Sequence, residues 1–106
     1  MPKRVKCEDL RLGAGTVATK GKRVSVRYDG FLNRGEKFQE NVTCSFVLGK
    51  REVIAGLEYG VDGMRVGGRR RIEVGPHLAY REKGVAGVVP PNAVVVFEVE
   101  LLDVGV

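Results

Sequence analysis

The chain has 106 residues, 43% of them hydrophobic, and its 18 Lys and Arg against 13 Asp and Glu give a net charge of +5. That is enough apolar material for one continuous core and predicts a single domain over residues 1–106. It excludes a membrane-crossing helix, because no run approaches the ~18 consecutive apolar residues such a helix needs, and no membrane partner is expected.

The opening stretch Met1-Pro2-Lys3-Arg4-Val5-Lys6-Cys7 lacks the apolar segment of a secretory leader, so the expected location is cytoplasmic. Cys7 and Cys44 are too few and too far apart for a metal knuckle or a C-x-x-C redox pair and are expected as reduced thiols. The sequon Asn41-Val42-Thr43 has a meaning only in a secreted protein. Gly13-Ala14-Gly15-Thr16-Val17-Ala18 fits a dinucleotide fingerprint superficially, but without a βαβ setting it is expected to be a glycine turn before the first long strand.

From Lys22 to Leu32, polar and apolar residues alternate, so Val24, Val26 and Tyr28 share one inward face of a half-buried antiparallel strand. Asn33-Arg34-Gly35 turns the chain and Glu36-Lys37-Phe38 begins the return of a hairpin. Ser45–Leu48 and Arg70–Val74 predict two further strands, and Ala93 to Val104 predicts the strongest. In that last segment Val95, Phe97, Val99 and Leu101 form the stripe expected to be buried, opposite Val94, Val96, Glu98 and Glu100. Only Glu52–Val61 departs from a period of two. Val53, Ile54, Leu57 and Val61 have helical spacing there, although Gly56 and Gly60 each cost about 1 kcal/mol against alanine and leave the helix dependent on packing. The fold class expected is α+β, a five- to six-stranded antiparallel sheet curled around one short α-helix.

The usual apparatus of hydrolytic and phosphoryl chemistry is missing. His77 is the single histidine, and there is no G-x-S-x-G, H-E-x-x-H or G-K-[ST] segment. No metal and no cofactor are expected. The basic balance does not predict a nucleic-acid partner either, because Arg69 and Arg71 of a strand face away from Arg70 and the other cations are interspersed with acids.

Aromatic and branched residues recur instead where strands meet loops: Tyr28, Phe38, Val53, Ile54, Leu57, Tyr80, Val89 and Phe97. By periodicity alone they read as core. Their setting adds a second reading. In order, the chain carries Val26-Arg27-Tyr28-Asp29-Gly30, Gly35-Glu36-Lys37-Phe38, Phe46-Val47-Leu48-Gly49, Glu52-Val53-Ile54-Ala55-Gly56-Leu57, Gly60-Val61-Asp62-Gly63-Met64, Leu78-Ala79-Tyr80, Val88-Val89-Pro90-Pro91-Asn92-Ala93 and Phe97-Glu98-Val99-Glu100-Leu101. This series, spanning about Leu12 to Val104, closely resembles the FKBP family of prolyl isomerases.

The resemblance implies a proline-binding hollow between helix and sheet, with Tyr80, Phe97, Tyr28 and Ile54 in catalytic positions and Phe38, Gln39, Val53, Leu57, Val88 and Val89 in substrate-binding ones. The Ile54 backbone N–H and the Tyr80 hydroxyl would donate to carbonyls flanking the proline, and Tyr80 to Pro90 would form a flap. Implied partners are proline-containing polypeptides and macrolide inhibitors such as tacrolimus and rapamycin, met by a monomer. Three positions depart from the commonest family pattern: Gln39 stands for an aspartate, Leu57 for a tryptophan and Cys44 for an aromatic residue, while the loop from Gln39 to Ser45 is shorter. These put rate and drug affinity in question and leave a rival expectation, a weakly active binding or chaperone module of the same fold.

Overall fold

The runs of β-branched and aromatic residues pair into one antiparallel sheet, covered on one face, among the described residues, by a single helix. The computed structural model describes residues 5–33, 35–75, 84, 89, 90 and 92–105. Its elements are β1 (Val5–Arg11), β2 (Arg23–Leu32), β3 (Lys37–Val47), α1 (Ala55–Val61), β4 (Arg69–Val74) and β5 (Val95–Gly105). The five strands lie in the order β1-β4-β5-β2-β3. β5 is therefore central, which suits the longest apolar stripe in the chain. Val95, Phe97, Val99 and Leu101 are all at most 1% exposed, facing Val24, Val26 and Ile72 in the core. Val96, expected on the opposite face, is also buried.

The helix lies against β4, β1 and β5. Leu57 and Val61 point into the core, and Gly60 lets the helix backbone come down onto the sheet. A Cβ at Gly60 would stand 2.6–2.7 Å from Cγ2 and Cγ1 of Ile72. Arg70, on this face of β4, completes the helix end by donating Nη1 to the carbonyls of Gly60 and Asp62 at 2.8 and 3.2 Å, while its Nε reaches Asp9 at 2.7 Å. Carbonyls that a helix C-terminus leaves unpaired are satisfied from the sheet.

Three expectations need correction, and the sequence reading did not single out β1, which pairs with β4 from Val5↔Val74 to Arg11↔Arg69. Its only buried residue is Val5, so an edge strand of this kind leaves no alternation to read. Gln39–Ser45, expected as a loop, belongs to the continuous β3, and irregular pairing there disrupts the period. The helix begins at Ala55 rather than Glu52, because Ile54 has φ −59° and ψ 145° and serves as its N-cap. Gly13–Ala18, expected as a glycine turn, is extended instead and pairs antiparallel with residues 64–66: Gly15 and Ala18 donate to the carbonyls of Val66 and Met64, Val66 donates to Thr16, and Val17 bridges Arg65, while the turn before β2 falls at Lys20–Gly21.

Candidate functional site

The candidate site is assembled where β2, β3 and β5 meet the start of the helix. Its floor is Phe97, 1% exposed, with Leu57 and Val89 buried beside it. Tyr28 of β2 meets the Phe97 ring edge-on, with centroids 5.4 Å apart and planes at 85°. Phe38 of β3 approaches the same ring at 6.2 Å and 69°. Such edge contacts are worth about 0.5–1.5 kcal/mol beyond area burial and set the orientation of both walls. Tyr28, Phe38, Val53 and Ile54 pack on the core while remaining half-buried. They can offer apolar surface to a ligand from one side.

Local backbone devices bring these rings together. A regular ladder would carry β3 past β2 in step, but the register jumps from Tyr28↔Val42 to Gly30↔Gln39 and again to Phe31↔Lys37. Extra residues on β3 push Phe38 and Gln39 toward Phe97. Asp29 holds the first irregularity: its Oδ1 accepts the Asn41 N–H at 2.7 Å, with Asn41 in a left-handed conformation at φ 53°. Gly30 is required by close approach. A Cβ there would lie 3.0 Å from Phe38 Cζ, 3.1 Å from Gln39 Oε1 and 3.2 Å from Phe97 Cε1. Sequence reasoning did not single out Asp29 or Gly30, although both stand beside Tyr28.

Gln39 contributes an unusual polar atom, since its Oε1 is buried and accepts no hydrogen bond. The Ile54 N–H, at the helix start, likewise donates to no group among the described residues, whereas its carbonyl accepts from Leu57 and Glu58. Before it, the turn from Gly49 to Val53 is held by two carboxylates that the sequence reading missed. Glu58 accepts the N–H groups of Gly49 and Arg51, both at 3.0 Å, and Glu52 accepts that of Val47 at 2.8 Å.

Eight of the expected site residues are thus described: Phe97, Tyr28, Ile54, Phe38, Gln39, Val53, Leu57 and Val89. All but Gln39 belong to the core or pack on it, and Gln39 lies beside Phe38 and Phe97 at Gly30. Tyr80 and Val88 lie outside the described residues, as does most of the expected flap. Cys44, on β3 opposite Val26, is half-buried on the core side. Burial pushes its thiol above the ordinary range and the nearby Glu52 charge adds to this; burial also raises Cys7, partly opposed by Arg70. Among the described residues no three His, Cys, Asp or Glu converge as metal ligands.

Two half-buried rings converging on Phe97, with the Ile54 N–H unpaired among the described residues, form an apolar surface of the class that can take a compact apolar ligand. The comparisons specify that class. The family described as FKBP-type peptidyl-prolyl cis-trans isomerase matches residues 15–102, and the chain belongs to it. An FK506-binding protein of Neisseria meningitidis serogroup A is 41% identical over 101 residues, covering 92% of this chain and 93% of its own. The 46 kDa FK506-binding nuclear protein of Spodoptera frugiperda is 45% identical over 104 residues, covering 94% of this chain. The chain spans 25% of that relative's length and 22% of that of the FK506-binding protein 4 of Neurospora crassa. The crystal structure of AtFKBP13 superimposes with a TM-score of 0.85 at 28% identity, covering 93% of this chain and 91% of its own.

Proposed function

We propose that the chain accelerates cis-trans rotation about X-Pro peptide bonds by holding the proline ring against Phe97 between Tyr28 and Phe38. The observation that carries this reading is the convergence of Tyr28 and Phe38 on Phe97, together with an Ile54 N–H that makes no hydrogen bond among the described residues. An X-Pro bond rotates over a barrier of roughly 18–20 kcal/mol, so unaided exchange takes tens of seconds or longer. No covalent bond has to break. The planar amide places negative charge on its oxygen, and the twisted amide loses that charge separation. A water-poor apolar wall therefore disfavours the planar form relative to the twisted one. The Ile54 N–H holds a neighbouring carbonyl and restricts the geometry from which rotation starts. FK506-type macrolides, named for the relatives, are proposed as competitors for the same hollow.

Magnetisation-exchange NMR on a tetrapeptide with an apolar residue before proline tests the proposal. Cross-peaks between cis and trans forms should grow with micromolar protein and vanish when a macrolide is added. No acceleration overturns it. Shifts at Tyr28, Ile54 and Phe97 without acceleration would leave a binding module of the same fold.

A further inference from the structure

We propose that Glu58 is a positioning residue for this site: its carboxylate ties down the turn that carries Val53 and the Ile54 N–H into the hollow. The inference rests on the isomerase reading and adds a residue that touches no substrate.

Apart from Glu52, whose carboxylate accepts the Val47 N–H at 2.8 Å, the turn has little other support among the described residues. Leu48 is still paired, giving its carbonyl to Gly21 and its N–H to the Lys22 carbonyl. Beyond it the chain takes two left-handed steps, Gly49 at φ 95° and Arg51 at φ 60°. An arginine rarely adopts that conformation unless its surroundings impose it. Lys50 donates to Val47 at 3.2 Å, and both remaining amides of the turn, Gly49 and Arg51, end on the same oxygen of Glu58. The N–H groups of Glu52, Val53 and Ile54 make no hydrogen bond among the described residues. Packing holds only the far end, where Val53 and Ile54 rest on the core; Gly49 and Arg51 are exposed and border a hollow of about 540 Å³ lined also by Lys20, Val53, Glu58 and Tyr59.

Glu58 also brackets the functional segment at its other end. Its backbone N–H donates to the Ile54 carbonyl at 3.3 Å while its carboxylate holds the Arg51 N–H at 3.0 Å. Residues 51 to 54 are thus strung between two groups of one helical residue. A carboxylate accepting two backbone N–H groups is among the stronger hydrogen-bonding arrangements a protein can make. Without it, no other hydrogen bond among the described residues holds the left-handed Arg51 backbone N–H, and relaxation there rotates the peptides leading to Ile54.

The test compares Glu58→Ala and Glu58→Gln with Val61→Ala, a core substitution on the same helix that leaves the turn alone. In ¹⁵N spectra of the whole chain, Glu58→Ala should move the Gly49 and Arg51 amides upfield, speed their hydrogen exchange and displace the Val53 and Ile54 amide signals. The exchange rate of the proline tetrapeptide should fall roughly ten- to hundredfold, the scale of a misplaced binding group. Glu58→Gln, which keeps a neutral acceptor, should recover it to within about fivefold of the parent. Val61→Ala should lower the melting temperature with little change in turnover. Glu58→Ala with Gly49 and Arg51 released but Val53, Ile54 and turnover unchanged would overturn the assignment. An inactive parent protein would overturn the isomerase reading alone, since the displacement of Val53 and Ile54 tests the tether without any turnover.

Discussion

Phe97 is at once a fully enclosed ring of the core and the ring on which Tyr28 and Phe38 converge, so a single substitution there tests both roles. Phe97→Leu keeps an apolar side chain and should cost about 1–2 kcal/mol in urea unfolding. It removes the face on which Tyr28 and Phe38 converge at 5.4 and 6.2 Å. Prolyl exchange should fall at least about tenfold, well beyond what that loss of stability explains. Gln39 supplies a second test, because its buried Oε1 has no donor. An unmatched buried carbonyl costs about 1–3 kcal/mol. Gln39→Met, similar in shape, should therefore raise the urea midpoint, and a lowered midpoint would show that the amide is satisfied in solution. The thiol of Cys44 is held up by burial and then by Glu52. A raised value means less thiolate at any given pH, so iodoacetamide at neutral pH should modify Cys44 more slowly in the folded chain than in urea. Peptide mass spectrometry reads this directly, and equal rates would contradict it. Phe97, Tyr28 and Phe38 were legible in the sequence because each sits in a recognisable word of the chain. Glu58 and Asp29 were not, since a carboxylate bonding a distant backbone N–H leaves no periodic trace.

At the scale of elements, the helix is the part whose sequence and structure pull in different directions. Gly56 and Gly60 weaken it locally, yet Gly60 is where the helix backbone meets Ile72 of the sheet. Alanine at 60 would gain about 1 kcal/mol of helix propensity. The same methyl would collide with Ile72, and overpacking of this kind costs about 1–3 kcal/mol. Gly60→Ala should therefore destabilise the fold by up to about 2 kcal/mol. Ile72→Val, which removes the nearest methyl, should restore part of that loss in a double-mutant cycle with unchanged denaturant slope. The strands divided in legibility for a related reason. β2 and β5 could be read because each buries alternate residues against the core. β1 buries only Val5, and β3 carries its irregular pairing between Phe38 and Val42, where alternation is lost. The helix start was misplaced because Val53 and Ile54 keep helical spacing while belonging to the turn that Glu58 holds.

Across the whole molecule the sheet separates chemistry between its two faces. The face under the helix carries the apolar core and the converging rings, with Arg70 confined to the helix end, while the other displays a ladder of alternating charge. Glu100 pairs with Arg11 and Arg27, and Glu98 with Arg69 and Arg71. Exposed pairs contribute about 0–1 kcal/mol each, so their main consequence lies in the field they cancel rather than in stability. The net charge of +5 is thus prevented from forming a dense basic stripe on β4 and its neighbours. Glu98→Gln combined with Glu100→Gln would uncover those arginines and raise the net charge by two, with only a modest change in melting temperature. The parent chain should leave a heparin column at low salt, whereas the double variant should elute later. Its affinity should fall more steeply with salt, by a slope of about 0.9 for each added contact if the arginines meet a DNA backbone. Equal elution of the two proteins would show that the glutamates do not mask the arginines. In that case the placement of the cations, rather than their pairing, would govern how this face meets a polyanion.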